Sequence, residues 1–385
     1  MNRSTRERDQ RVLHATDPAE LTAALVAVPS VSGSEERIAD LVEQRLRRRA
    51  PALEVHRIGN NVVARSGSGR APRPWRIVLA GHLDTVPAAD PPQPARLTAE
   101  HVTGLGAVDM KGGLALMLLL AESAADSPCD TSFVFYDQEE VGSHRSGMHR
   151  LFADHRDLVD GDLAVLLEPT GGAVEAGCQG NLVVELDYLG ARAHTARPWR
   201  GVNAIHRAAP ALSRLAAAAP APVELDGLSY RQSLSVVGFD AGVQGNVVPD
   251  RASIRVNYRH APTIDSETAV GIVTALVPEP DRVSVRLASP SARPELGHPL
   301  LAAWRERTAP EVRPKLGWTD VGRFAAHGIP ALNFGPGDPE LAHTPDESVD
   351  RAELVRCHRA LHDLLHARPP APVTKGAPAH YAAVH

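Results

Sequence analysis

The sequence predicts an α/β protein, a central sheet flanked by helices, interrupted by an inserted α+β unit of ferredoxin-like kind. Three observations predict it. Aliphatic runs at 76–80, 131–136 and 163–167 are too short for helices and read as buried strands. Helical patterns separate them, the alternation that builds a parallel sheet. From about residue 180 to 287 the pattern changes to strand (181–188), helix (202–216), strand (233–239), strand (252–258), helix (265–276) and strand (283–287), the order of a split βαβ unit.

A chain of 385 residues is long for one core, so two domains are expected. One is discontinuous, 1–178 and 289–367; the insert is 179–288; and 368–385, holding Pro369, Pro370, Pro372 and Pro378, reads as a disordered tail. Two helices open the first domain, at 17–28 and 34–49, with Asp17 and Ser34 as N-caps and Pro29 and Gly33 as breakers between them. The Arg47-Arg48-Arg49 run closes the second as a solvated basic face near a helix C-terminus. A strand at 62–65 and a turn at 66–74 lead into the strand at 76–80. A long apolar helix follows Gly113.

Composition excludes several classes. A formal charge of −5 with 43% hydrophobic residues gives no electrostatic reason to expect nucleic acid or an anionic membrane. The polar start, Met1-Asn-Arg-Ser-Thr-Arg, lacks the apolar core of a signal peptide, and no apolar run approaches membrane length. Cys129, Cys178 and Cys357 are odd in number and widely spaced, which fits a reducing compartment. A cytoplasmic protein is expected.

Chemistry gathers at the ends of the strands. His82 closes the first run, with Asp84 two residues on, placed to orient the imidazole or what it holds. Asp109 sits in Thr103-Gly-Leu-Gly-Ala-Val-Asp-Met-Lys-Gly-Gly113, a glycine-flanked loop that taken alone is equally a turn or a phosphate loop. Asp137-Gln-Glu139-Glu140 follows the second run; alone, its adjacent acids are also a solvated helix start. Glu168 follows the third, and His343 lies beyond a fourth short run at 331–334. Two imidazoles and three carboxylates suit zinc or a related divalent ion, with Co2+ or Mn2+ as substitutes. With Asp109 bridging, they can serve two ions about 3.5–4 Å apart. Glu139, spare in that count, is the natural general base.

Gly81-His-Leu-Asp-Thr-Val-Pro87, Gly106-Ala-Val-Asp-Met-Lys-Gly-Gly113, Glu139-Glu140, Glu168-Pro169, His194-Thr-Ala-Arg-Pro198, Gly201-Val-Asn-Ala-Ile205 and Asn246-Val-Val-Pro-Asp250 resemble the co-catalytic zinc aminoacylase and carboxypeptidase family. The resemblance runs from about residue 17 to 366. It implies a zinc-peptidase-like catalytic domain, with the insert as a lid and dimerisation domain. It implies two Zn2+: His82, Asp109 and Glu168 on one, Asp109, Glu140 and His343 on the other, with a cis bond at Asp109–Met110. It implies a homodimer in which His194 reaches the partner subunit's site and stabilises an oxyanion, so that Glu139, Asp84 and His194 are the catalytic side chains. Candidate substrate contacts are Asn246, Arg259, Thr319, Asn333 and Gly335. Val174-Glu-Ala-Gly-Cys-Gln-Gly180 and Gly317-Trp-Thr-Asp-Val-Gly-Arg-Phe324 imply, within the family, release of succinate from N-succinyl-LL-2,6-diaminopimelate, a step toward lysine. N-Acetylornithine or another N-acyl amino acid is the alternative small-molecule substrate.

Overall fold

The computed structural model describes residues 3–67, 73–88, 93–142 and 144–372. The chain divides into two compact units: Met1–Ala173, Leu296–Glu311 and Phe334–His385 form the first, Val174–Glu295 and Val312–Asn333 the second.

In the first unit, Arg76–His82 lies between Asp130–Tyr136 and Leu163–Leu166 and is parallel to both. Asn61–Arg65 adds antiparallel to Asp130–Tyr136, and Glu54–Ile58 adds antiparallel to Asn61–Arg65. The three aliphatic runs are buried along their lengths, as strands covered by helices on both faces must be. Helix Gly112–Ser123 is buried almost all round, which explains its lack of a polar face. Gly81 and Gly113 permit its close approach. A Cβ on Gly81 would lie 2.6 Å from Met110 Cε, and one on Gly113 would lie 2.4 Å from the Leu167 carbonyl oxygen.

Several local expectations need correction. Asp17 does cap helix Pro18–Val26, accepting from the N–H groups of Ala19 and Glu20. Ser34 caps nothing: Glu35 occupies the N-cap of Glu36–Arg49 without a side-chain cap bond, its carboxylate turned back to the Gly33 N–H at 2.7 Å. The chain enters the helix through a tight turn, in which the Ser34 N–H donates to the Val31 carbonyl at 2.8 Å and the buried Glu35 carboxylate closes back on Gly33 instead of on the helix amides. The basic run is not simply solvated, since Arg49 pairs with Glu122 at 2.8 Å and Arg47 with Glu43 at 2.9 Å. Helix Arg3–His14 and strand Glu54–Ile58 add to the expected elements. Of the turn expected at 66–74, residues 68–72 lie outside the described residues. Of the tail expected at 368–385, so does everything from 373 on; before that, the Pro370 carbonyl accepts from Trp75 Nε1 at 2.8 Å.

The second unit holds an antiparallel sheet in the order Ser233–Ala241, Arg251–His260, Gly180–Leu189, Arg282–Ser289. Taken with helices Ala204–Ala217 and Ser266–Ala275, this is the ferredoxin-like arrangement. Leu182, Val184, Leu186, Ile254 and Val256 alternate onto the face that these helices bury. A hairpin at Val223–Leu225 and Leu228–Tyr230 was not expected. Besides the expected insert of 179–288, the unit takes in 174–178, 289–295 and 312–333. There Val174–Ala176 pairs with both Val312–Pro314 and Ala331–Asn333, and the Ala176 carbonyl accepts from Tyr230 Oη at 2.7 Å.

Candidate metal centre

Register brings the first-unit candidates to one edge. His82 lies opposite Tyr136, so His82 and the Asp137–Glu140 segment leave the sheet together. The Leu167 N–H donates to the Ala80 carbonyl at 2.9 Å, which delivers Glu168 at the same end. Ligand sites in parallel sheets form at such carboxyl ends.

One donor atom from each of His82, Asp109 and Glu140 lies within 4.8 Å of the others. Asp109 stands between two imidazoles: its Oδ1 is 2.9 Å from His82 Nε2 and its Oδ2 is 3.4 Å from His343 Nε2. His343 Nε2 is also 2.9 Å from Glu140 Oε1. Glu168 is buried, and its charge acts on His82. The backbone at His343 is left-handed, with φ of 61°, an uncommon conformation for a non-glycine residue. The Asp109–Met110 bond is cis.

The electrostatics follow from burial against charge. Burial alone lowers the pKa of His82, but Asp109 and Asp84 outweigh it and hold the imidazole well above its ordinary value. His343 is raised to about 9, first by its bond to Asp109 and then, against some burial, by Glu140. Burial would raise the Asp109 carboxyl, yet bonds from His343 and His82 hold it far below the carboxylate range. Burial, reinforced by the Asp109 charge, raises Glu140. Carboxylates crowded around two imidazoles, with each oxygen of one carboxylate turned to a different ring, are a donor set that fits a divalent cation in place of the imidazole protons.

Buried groups behind this cluster hold it. Asp84 is fully buried; its carboxylate accepts from Ser32 Oγ at 2.7 Å and from the N–H groups of Glu139 and Glu140 at 3.1 Å each. His82 Nδ1 is closer to the Asp84 carbonyl, at 3.0 Å, than to its carboxylate, at 3.4 Å. Asp84 thus fixes both the ring and the segment that carries the two glutamates. Sequence reasoning missed Ser32, Lys111 and Glu347. Lys111 Nζ is buried and donates to the Val28 carbonyl at 2.7 Å, with burial lowering its pKa to about 7. Gly335 lies where a Cβ would be 2.5 Å from the Glu168 carbonyl oxygen, and its N–H donates to Thr170 Oγ1 at 3.1 Å; it packs the turn behind Glu168.

The remaining candidates belong to the second unit. His194 is exposed, its backbone is bridged to Val247, and the Thr195 N–H donates to the Asn246 carbonyl at 3.1 Å. The Ala196 N–H donates to His194 Nδ1 at 3.0 Å, so the neutral ring carries its proton on Nε2. Arg259 is half-buried, and burial lowers its pKa. Thr319 Oγ1 donates to Asn333 Oδ1 at 3.0 Å, leaving the buried Asn333 Nδ2 without a partner among the described residues.

Residues 78–367 match peptidase family M20/M25/M40. A Mycobacterium tuberculosis protein bearing the name succinyl-diaminopimelate desuccinylase DapE is 47% identical over 337 residues, covering 86% of this chain and 93% of that one. Succinyl-diaminopimelate desuccinylase of Corynebacterium glutamicum is 43% identical over 348 residues, covering 88% and 93%. Among solved structures, aminopeptidase PepT of Bacillus cereus superposes with a TM-score of 0.74 at 20% identity, covering 93% and 98%. The Bacillus subtilis YXEP protein, a dinuclear metal-binding peptidase, superposes with a TM-score of 0.66 at 16% identity, covering 94% and 98%. Both structures share the fold.

Proposed function

Because this chain belongs to peptidase family M20/M25/M40, we propose that it is a metal-dependent amidohydrolase that cleaves N-succinyl-LL-2,6-diaminopimelate to succinate and LL-diaminopimelate. The observation that carries the substrate is 47% and 43% identity to desuccinylases over 93% of their own lengths.

In this reading the resident ions are two Zn2+. His82, Asp109 and Glu168 would hold one; Asp109, Glu140 and His343 would hold the other. The bound ions would polarise the scissile carbonyl and lower the pKa of water at the site from 15.7 toward roughly 7. Glu139 takes the proton from the attacking water and returns it to the leaving amine. Asp84 keeps His82 and the Glu139–Glu140 segment oriented, and the Nε2–H of His194 donates to the developing oxyanion.

Arg259 supplies a planar fork for a substrate carboxylate. Its support is that a half-buried guanidinium with no ion pair among the described residues is a cation awaiting an anion. Asn246, Thr319, Asn333 and Gly335 complete the substrate contacts, the orphaned Asn333 amide offering a donor. We read the protein as a homodimer through its inserted unit, where Val237, Phe239 and Val285 are exposed on the edge strands. Cytoplasmic placement is supported by three unpaired, buried cysteines. Among the described residues no helix is long and apolar enough to cross a membrane.

The substrate is tested by comparing amine release from N-succinyl-LL-2,6-diaminopimelate and from N-acetylornithine with zinc supplied. The succinyl substrate should give the higher kcat/KM; equal or better turnover of acetylornithine would overturn the assignment.

A further inference from the structure

Glu347 is four residues beyond His343 and buried, with 2% of its surface exposed. It coordinates nothing in the cluster above, yet its backbone and side chain together pin the loop that carries Asp109. Oε1 accepts from the Val108 N–H at 2.9 Å and the Asp109 N–H at 3.0 Å. The Glu347 carbonyl accepts from the Gly104 N–H at 3.0 Å. Val108 and Asp109 lie in the first turn of the short kinked helical segment Ala107–Lys111, where N–H groups have no partner within the segment, and buried N–H groups left unmet are costly. The carboxylate therefore sets the loop's path.

That path decides where the Asp109 oxygens point. Oδ1 and Oδ2 face different imidazoles, so a small rotation of the Asp109 backbone withdraws one of them. Asp84 makes the corresponding pair of bonds to the consecutive N–H groups of Glu139 and Glu140. Both metal-facing loops are thus held by a buried carboxylate that accepts from two successive amides. Glu347 also lies on the segment that carries His343, so one stretch of chain supplies a ligand candidate and clamps the bridging one. Its other oxygen, Oε2, makes no hydrogen bond among the described residues. The nearby Lys111 ammonium, buried among the same loops, is attracted most strongly by the Glu347 charge.

We propose that Glu347 is a positioning residue that presents the bridging Asp109 carboxylate by accepting the Val108 and Asp109 N–H groups. The inference rests on reading His82, Asp109, Glu140 and His343 as metal ligands. It concerns acceptor geometry, so an amide oxygen should serve nearly as well as a carboxylate. Glu347→Ala should weaken binding of Co2+ to the metal-stripped full-length chain by about 10–100-fold, and lower kcat with little change in KM. Glu347→Gln, which keeps Oε1, should recover most of both.

The experiment titrates Co2+ into stripped wild type, Glu347→Ala and Glu347→Gln, followed by visible absorption and calorimetry. Hydrogen exchange of the Val108 and Asp109 amides is measured in stripped wild type. Protected amides, weak binding in the alanine variant and recovery in the glutamine variant support the proposal. If wild type takes up no Co2+, the ligand reading falls and this inference with it. If wild type binds and alanine binds equally well, only the Glu347 role is overturned. The same holds if glutamine is as impaired as alanine. Should the alanine variant not fold, rapid exchange at Val108 and Asp109 in wild type refutes the clamp without any substitution.

Discussion

Asp109 turns one oxygen toward each of two imidazoles, and this determines how the metal-free protein responds to pH. His343 is held up to about 9 by Asp109 and Glu140, above the ordinary imidazole value near 6.5. A folded-state pKa above the unfolded one means that the stabilisation is complete below about 6.5 and is lost as pH rises through about 9. The chelator-stripped protein should therefore melt at progressively lower temperature between those limits. Once a divalent cation replaces the imidazole proton, the decline across that window should vanish. Melting curves from pH 6 to 10 with and without Zn2+ check this, and a stripped protein whose Tm is flat over that range would refute it. At this scale the sequence disclosed the ionisable groups that the structure gathers at one end of the strands. His82 and Glu168 close apolar runs and Glu140 follows one within four residues, places where an ionisable residue is conspicuous. Ser32 and Glu347 left no such mark, because they act on backbone or on another acid, and nothing in residue type distinguishes a buried clamp from a surface carboxylate.

Elements meet at the site through close backbone approach, and helix Gly112–Ser123 shows the constraint most sharply. Its Gly113 abuts the Leu167 carbonyl, where a Cβ would sit 2.4 Å away, and Gly335 presses on the Glu168 carbonyl from another direction at 2.5 Å. Neither obstacle is a flexible side chain, so a methyl at Gly113 must displace the backbone that carries Glu168. Gly113→Ala should destabilise the fold by about 1–3 kcal/mol and weaken metal binding as well. Thermal melts and Zn2+ stoichiometry read the two effects; an alanine variant with unchanged Tm and full metal content would show that the helix can retreat without moving Glu168. The glycines were visible in the sequence as a loop signal, but whether they turn the chain or permit contact is a property of what packs against them. The strands were legible because their apolar runs are short and bounded. The start of Glu36–Arg49 was not, because Ser34, Glu35 and Glu36 all suit a helix N-terminus and only burial of Glu35 separates them.

For the whole molecule, the alternation of the second unit was readable down to its strand order, since a βαββαβ sequence of amphipathic elements has few compact solutions. The ladder of Val174–Ala176 was not readable, because that three-residue strand has no periodicity of its own, and the run at 331–334, visible as an apolar stretch, carries no sign of its partner. The proposed dimer makes a sharper claim. His194 is exposed on the second unit with Nδ1 already occupied, which leaves an Nε2–H donor facing outward. If it completes the partner subunit's site, no single chain is a whole enzyme. Glu139→Gln and His194→Ala should each be nearly inactive alone, for different reasons: one lacks the base and the other the oxyanion donor. In a mixed dimer, the subunit with His194→Ala keeps Glu139 and receives an intact His194 from its neighbour. The opposite site lacks both. Random reassociation of an equal mixture makes half the dimers mixed, each with one working site, so activity should return to about a quarter of wild type. A histidine acting within its own chain gives no recovery on mixing, because every site then lacks one of the two groups. Measuring turnover before and after exchange of subunits, with dimer content followed by sedimentation, therefore separates the two arrangements, and silence from a fully exchanged mixture would return His194 to its own subunit.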